Sequence, residues 1–165
     1  MGSLDYKVIN NFLEKEHFVN LKNFLCSSDF NWYFNKHQTH YQEDGMFFSH
    51  TFFIDNKYNS PYYEKLIIPI LDKLRCNALV RARANLFLKK ENSYMSSWHV
   101  DTEFNCTTAI LYINTNNGCT LLDEKDKIKI NCIENNMLIF NSQIKHTAVS
   151  QTDCEQRIVI NFNYF

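Results

Sequence analysis

Residues 156–165 read QRIVINFNYF, and the alternation along this stretch indicates how the chain folds. Successive side chains of an extended strand point to opposite faces of its sheet. One face would carry Arg157, Val159, Asn161 and Asn163, and the other Ile158, Ile160, Phe162 and Tyr164. The stretch therefore predicts a terminal strand with one apolar face. Its single arginine requires an anionic partner, because burying an unpaired guanidinium is costly.

Six further runs upstream are also short, alternating or apolar, and separated by Asn, Gly and Asp residues. They are LVRARANLFL (79–88), TTAILYIN (107–114), CTLLD (119–123), KIKI (127–130), NMLIF (136–140) and HTAVS (146–150). Two helices are predicted ahead of them. Two helices followed by many short strands favour an α+β fold with an antiparallel sandwich or jelly roll.

The first helix is predicted within residues 10–28, where Phe18, Leu21, Phe24 and Leu25 recur at helical spacing. The second is predicted from Ser60 to Leu74. Its signals are Ser60 as N-cap, Pro61 at the first helical position and Glu64 in the first turn, with a kink expected at Pro69.

Residues 34–58 separate the two helices and show no helical period, so they predict a loop with short strands. The segment carries Tyr41, Phe47, Phe48 and His50 beside Gly45. Long loops in compact domains are usually functional or disordered. We therefore expect residues 34–58 to form a lid over the substrate.

Length and composition predict one domain over residues 1–165. Hydrophobic residues make up 45% of the chain, and no apolar run approaches the ~20 residues that a membrane-spanning helix needs. The six cysteines include no CxxC pair and no signal peptide is apparent, so reduced thiols and a cytoplasmic location are expected. A net charge of -1, with scattered Lys and Arg, disfavours a nucleic-acid partner.

The stretch SSWHVDTEF (96–104) contains His99 and Asp101 two positions apart. On an extended strand these side chains share a face, so imidazole and carboxylate can converge on one point. The only histidine after Asp101 is His146, at the head of the predicted strand HTAVS. Two histidines and one carboxylate that leave coordination positions open are typical of non-haem Fe(II) oxygenases.

Plainer interpretations of each motif stay open. A His-x-Asp pair alone is more often a surface pair or a satisfied core group. Arg157 could form a salt bridge with Asp153 or Glu155. The pair His37 and His40 suggests zinc, but without neighbouring Cys it is more typical of a solvated loop. The alternating Arg81 and Arg83 predict an exposed sheet face.

In order and spacing, His99, Asp101, His146 and Arg157 resemble the 2-oxoglutarate- and Fe(II)-dependent oxygenases, and most nearly their prolyl-4-hydroxylase-like branch. The resemblance covers residues 79–165. It extends to ILYIN with Tyr112, the turn NTNNGCT with Gly118, the apolar NMLIF before His146, the aromatic ending of the last strand, and the front helix VINNFLEKEHFVNLKNFL (8–25).

This resemblance implies a double-stranded β-helix, supported by N-terminal helices, with a metal site at its mouth. Fe(II) would be bound by His99, Asp101 and His146. The distal carboxylate of the co-substrate 2-oxoglutarate would be bound by Arg157 and Tyr112. Relatives often present a tyrosine where this chain has Phe87, so Asn85 or Tyr94 is the candidate replacement contact. Molecular oxygen is the second co-substrate, and ascorbate is an additional candidate cofactor.

The activity that the resemblance implies couples oxidative decarboxylation of 2-oxoglutarate to succinate with hydroxylation of an unactivated C–H bond. A peptidyl proline or other protein side chain is the first candidate substrate, and a free amino acid or small metabolite is the alternative. Asn163 occupies the position of a second arginine in the DNA-repair demethylase branch, which disfavours base demethylation. A non-catalytic jelly-roll binding module is the alternative from another class.

Overall fold

The computed structural model describes residues 5–37 and 45–165, and these fold mainly into two antiparallel sheets. The strands are β1 (Tyr6–Ile9), β2 (Tyr33–Asn35), β3 (Phe47–Ile54), β4 (Lys57–Tyr58), β5 (Leu79–Leu88), β6 (Thr107–Tyr112), β7 (Cys119–Leu122), β8 (Ile128–Asn131), β9 (Met137–Asn141), β10 (His146–Val149) and β11 (Gln156–Tyr164). The large sheet has the order β1-β9-β6-β11-β5-β3-β2, with β4 paired to β3, and the small sheet has the order β10-β7-β8. All seven strands predicted after residue 78 are confirmed.

The first predicted helix is observed as α1 (Lys15–Leu25). The second consists of a π-helical segment (Tyr63–Ile67) that continues into α2 (Ile68–Leu74). Pro69 is the second residue of α2, and the helix changes from π to α type just before it. The kink expected at Pro69 stays a prediction. Ser60 lies further from the helix than predicted, and its Oγ accepts a hydrogen bond from the Tyr62 N–H at 3.1 Å.

One face of the large sheet packs against both helices. The four apolar residues that alternate along β11 all belong to this core, and Ala82, Ala84 and Leu86 of β5 join them. The helices contribute Phe18, Leu21, Leu25 and Ile70. The period-two pattern of β11 therefore predicted correctly which residues share the apolar face, and the structure shows that the helices cover that face.

The other face of the large sheet packs against the small sheet. Tyr112 of β6, Leu138 of β9 and Val159 of β11 form a second core with Leu122 of β7 and Ile130 of β8. This mostly β architecture with two supporting helices is consistent with a jelly roll. Between the two sheets lies a cavity of about 380 Å³, lined by residues of β5, β7, β10 and β11 among others. None of the helices in the described ranges has the length and apolar character needed to cross a bilayer.

Residues 34–58 contain short strands, as predicted, and their role as a lid over the substrate stays a prediction. Their longest described part is β3, an eight-residue strand of the large sheet, in which Phe47 lines the cavity. His50 of β3 is buried, and its imidazole lies 2.7 Å from both the Asn31 carbonyl and Ser60 Oγ, so it is a structural group. Tyr41 lies outside the described residues. The run FFSHTFFI is rich in aromatic and β-branched residues, and this composition favours a strand.

Candidate active site

Backbone pairing between β10 and the segment before residue 100 brings two distant histidines together. The His99 N–H donates to the His146 carbonyl at 3.0 Å, and the His146 N–H donates back to the His99 carbonyl at 2.9 Å. A second bridge joins Met95 to Val149. The two imidazole centroids are consequently 4.4 Å apart. The juxtaposition therefore depends on how the segment docks on the small sheet.

Asp101 is positioned by the large sheet. It lies in a bend beyond the paired segment, so the regular strand expected for His99 and Asp101 is not observed. Arg81 of β5 donates from Nη2 to Asp101 Oδ1 at 3.0 Å. Asn163 of β11 donates to Asp101 Oδ2 at 3.2 Å, and Thr108 of β6 donates to the same oxygen at 3.4 Å. Three strands thus hold the carboxylate at the cavity.

His99, Asp101 and His146 each offer one ligand atom, and these atoms all lie within 4.8 Å of one another. Nδ1 of His99 lies 3.1 Å from the Ser97 carbonyl, and Nδ1 of His146 lies 3.3 Å from the Ile144 carbonyl. A carbonyl can only accept, so each Nδ1 carries the proton and each Nε2 keeps a free lone pair. Metal-bound histidines usually have this arrangement.

The charge states of the cluster also suit a metal. Burial lowers the pKa of His146 to about 4, although the Asp101 carboxylate opposes that shift. Burial by itself would raise the pKa of Asp101, but the charges of His146 and Arg81 outweigh it and lower the pKa to about 2. At neutral pH His146 is therefore a neutral imidazole and Asp101 an anion, as metal ligation requires.

Arg157 lines the same cavity and is 3% exposed. Its terminal nitrogens donate to the Val149 carbonyl and to Thr120 Oγ1, both at 3.3 Å, and its Nε has no partner. Among the described residues no carboxylate pairs with it. A buried guanidinium held only by neutral groups and retaining a free donor fits an anionic ligand.

The alternative salt bridges of Arg157 are not observed. Glu155 pairs with Lys89 at 3.2 Å. The Asp153 carboxylate accepts a hydrogen bond from the Asn117 N–H at 2.9 Å. Both acidic groups therefore have other partners.

Tyr112 is not among the residues that line the cavity. It is fully buried, and its hydroxyl donates to Thr120 Oγ1 at 2.9 Å. Thr120 is the residue that lines the cavity and that also accepts from Arg157. Tyr112 therefore reaches Arg157 through Thr120, a residue that the sequence analysis did not single out.

The two candidate replacement contacts are placed differently. Asn85 lines the cavity, where its Oδ1 accepts a hydrogen bond from Arg83 Nε at 2.8 Å. Tyr94 borders a smaller adjoining cavity, which also includes Phe87 and Arg157. Tyr94 is thus near Arg157 but is not among the residues that line the main cavity.

The expectation that Arg81 and Arg83 form an exposed face is wrong, because both line the cavity. They share one face of β5 with Asn85 and Phe87, opposite the helix-facing Ala82 and Ala84. The period-two alternation that predicts the position of Arg157 also runs through LVRARANLFL, so it could have predicted that Arg81 and Arg83 face the cavity. His37 is exposed and His40 lies outside the described residues, so the zinc interpretation stays untested.

Solved structures with this fold include 2-oxoglutarate/Fe(II) oxygenases. An oxidoreductase of the 2OG-Fe(II) oxygenase family from Burkholderia pseudomallei has a TM-score of 0.75 and 9% identity, covering 96% of this chain and 84% of its own. A Trichoplax adhaerens prolyl hydroxylase, in complex with a hypoxia inducible factor peptide fragment, has a TM-score of 0.63 and 15% identity, covering 99% and 84%.

A third similar structure is the epimerase SnoN from nogalamycin biosynthesis, in complex with Fe3+, alpha ketoglutarate and nogalamycin RO. Its TM-score is 0.65 and its identity 12%, covering 97% of this chain and 78% of its own. No family model and no curated protein matches the sequence. The chain therefore has the fold of the 2-oxoglutarate/Fe(II) oxygenases, as the sequence motifs predicted, although overall sequence similarity is very low.

Proposed function

We propose that this protein is a 2-oxoglutarate- and Fe(II)-dependent dioxygenase that hydroxylates an unactivated C–H bond. The observation that carries the proposal is the pairing of two features in one cavity. One is the cluster of His99, Asp101 and His146, and the other is the buried Arg157, which lacks a counter-ion in the described part of the chain. A non-catalytic jelly roll has no need for either feature.

The residues of the cavity have separate tasks in this proposal. The two Nε2 atoms and the Asp101 carboxylate would hold Fe(II) and leave coordination positions open. Arg81 and Asn163 orient the carboxylate from the large sheet. The paired backbones of His99 and His146 fix the distance between the imidazoles. All three ligands are thus restrained before a metal binds.

Arg157 would bind the far carboxylate of 2-oxoglutarate, because a guanidinium forms two charge-assisted hydrogen bonds to one carboxylate. Thr120 orients Arg157, and Tyr112 orients Thr120. Asn85 is the polar side chain of β5 on the same cavity wall. When bound, Fe(II), 2-oxoglutarate and oxygen would supply oxidative decarboxylation to succinate and oxidation of the substrate.

The proposed fold is a double-stranded β-helix that forms one domain over residues 1–165. The proposed location of the protein is the cytoplasm. Similar structures carry out different chemistry, since they include prolyl hydroxylases and an epimerase. The prolyl hydroxylase bound to a peptide fragment supports a peptide substrate, and the epimerase bound to a nogalamycin supports a small molecule. The same site could hydroxylate a protein side chain, a free amino acid or a small metabolite.

Anaerobic addition of Fe(II) and 2-oxoglutarate tests the proposal directly. The wild-type protein should develop the visible charge-transfer band of the chelate. An Asp101→Ala variant should not develop it, whereas an exposed-site variant such as Asp72→Ala should behave as wild type. Absence of the band in folded wild-type protein would leave the binding-module alternative in place.

A further inference from the structure

The cavity contains a guanidinium that the proposed chemistry does not use. Three arginines line it, and two have assigned partners, because Arg81 pairs with Asp101 and Arg157 is assigned to the co-substrate. Arg83 forms no ion pair with any described residue. It is therefore the cation of the cavity whose charge is not yet matched.

Within the part of the chain that the structure describes, two contacts hold Arg83 in place and leave its outer edge free. Its Nε donates to Asn85 Oδ1 at 2.8 Å, and its guanidinium carbon lies 5.3 Å from the ring centroid of Phe47. These contacts use the inner nitrogen and one face of the guanidinium. No hydrogen bond to a described residue uses the two terminal nitrogens, with which arginine binds carboxylates and phosphates in bidentate fashion.

The charge of Arg83 persists in spite of its surroundings. Burial, together with repulsion from Arg81, lowers its pKa to about 10, which still leaves the side chain protonated at neutral pH. A partly desolvated cation without a counter-ion is unfavourable. An anion that enters the cavity would relieve this cost.

Arg83 and Arg157 leave the sheet at well-separated positions along β5 and β11. In the β5–β11 register Phe87 lies opposite Arg157, and Arg83 lies opposite Asn161. Four residues of strand separate Arg83 from Phe87, or about 13 Å between their backbones. The guanidinium groups also contact different rings of the stacked Phe47–Phe87 pair, whose centroids are 5.7 Å apart.

Asn161 adds a second recognition group next to Arg83. Its Oδ1 is buried without a hydrogen-bond partner in the described residues, and Asn161 lines the cavity. A free acceptor beside a free guanidinium is complementary to a ligand that carries a hydrogen-bond donor close to an anionic group. The charge balance of the cavity agrees with an anionic ligand. The charges of Fe(II) and the 2-oxoglutarate dianion cancel, so the three arginines still outnumber the single carboxylate, Asp101.

We propose that Arg83 binds the primary substrate, which is a small molecule with a carboxylate or phosphate group. Close to that group the substrate carries an N–H or O–H that donates a hydrogen bond to Asn161 Oδ1. The inference rests on the proposed function and narrows its substrate class. It favours a free amino acid or a similar metabolite over an internal peptidyl proline, whose backbone offers no anion at that place.

Titration calorimetry of the protein loaded anaerobically with Fe(II) and saturating 2-oxoglutarate tests this. The probes are free amino acids, the corresponding amino-acid amides and inorganic phosphate. At least one acid, or phosphate, should bind, and an amide should bind at least about tenfold more weakly than its acid. Arg83→Gln should lower the affinity for the anion at least about tenfold, since a buried charge pair is lost. Arg83→Lys should retain part of it, and Arg75→Gln, at an exposed arginine, should change nothing.

The outcomes separate this inference from the proposed function. A charge-transfer band with no binding of any anionic probe overturns the role of Arg83 and leaves the oxygenase proposal intact. Equal binding of acids and amides overturns it as well. If Arg83→Gln weakens 2-oxoglutarate binding more than about twofold, Arg83 belongs to the co-substrate site. If it lowers the melting temperature without affecting anion binding, Arg83 is structural. Absence of the band in wild type counts against the oxygenase proposal, and phosphate binding by the metal-free protein then tests Arg83 alone.

Discussion

The two faces of the large sheet are formed by the same strands but differ in what they contact. On the helix side β11 presents Ile158, Ile160 and Phe162, which are at most 1% exposed and pack in a continuous apolar core. On the cavity side it presents Arg157, which donates to Val149 of β10, and Asn163, which donates to Asp101 and to Thr108 of β6. Neighbouring residues of one strand therefore face different surroundings, the apolar core on one side and the candidate site on the other.

Loss of a proposed iron ligand should have the largest effect. His146→Ala should abolish 2-oxoglutarate turnover and Fe(II) binding, because two ligands cannot replace the three-ligand set. The fold should largely persist, since His146 pairs with His99 through backbone atoms. Iron stoichiometry and succinate release are the measurements, and His50→Ala is the control, because it removes a buried imidazole outside the cavity. Turnover retained by His146→Ala would rule out the ligand assignment.

A large truncation on the helix side should act on stability. Phe162→Ala removes a fully buried ring and should lower the free energy of unfolding by about 3–5 kcal/mol. Denaturant unfolding measures this. The neighbouring Asn161→Ala is the matched comparison, because its Oδ1 has no partner to lose and it should cost much less. Similar destabilisation by the two variants would contradict the division between the faces.

Arg157→Ala should mainly affect the co-substrate. Removal of the buried guanidinium should weaken 2-oxoglutarate binding by roughly two to three orders of magnitude. Fe(II) binding should be nearly unchanged, because Arg157 is not a ligand of the cluster. A 2-oxoglutarate titration and the melting temperature, each compared with Arg75→Ala, give the readout. Unaltered affinity combined with a lower melting temperature would make Arg157 a purely structural residue.

Tyr112→Phe should have the smallest effect. It removes one neutral hydrogen bond, to Thr120, which is worth about 1 kcal/mol, and should reduce 2-oxoglutarate affinity about tenfold or less. Thr120→Val should have a larger effect, because Thr120 also accepts from Arg157. A greater loss from Tyr112→Phe than from Thr120→Val would mean that the tyrosine hydroxyl binds the co-substrate itself.

Local patterns were sufficient for the strands from β5 onward and for α1, because period-two and helical spacing are properties of a few neighbouring residues. They also indicated which residues of β11 share a face. Short strands were predicted within residues 34–58, but the bounds of β3 were not, because FFSHTFFI has no strict alternation that marks where the strand begins and ends. Alternation was visible in β5, yet Arg81 and Arg83 were predicted to face solvent.

The sequence by itself determined the strand pattern and the candidate ligands His99, Asp101 and His146, since their residue types and order are readable without coordinates. Only the tertiary structure decided which sheet face is covered by helices and which borders the cavity. Alternation shows that two residues share a face but carries no information about what lies over that face. The partners of Asp101 depend on that covering, because strands distant in sequence meet there. So does the finding that no described residue supplies a counter-ion for Arg157 or a partner for the outer edge of Arg83.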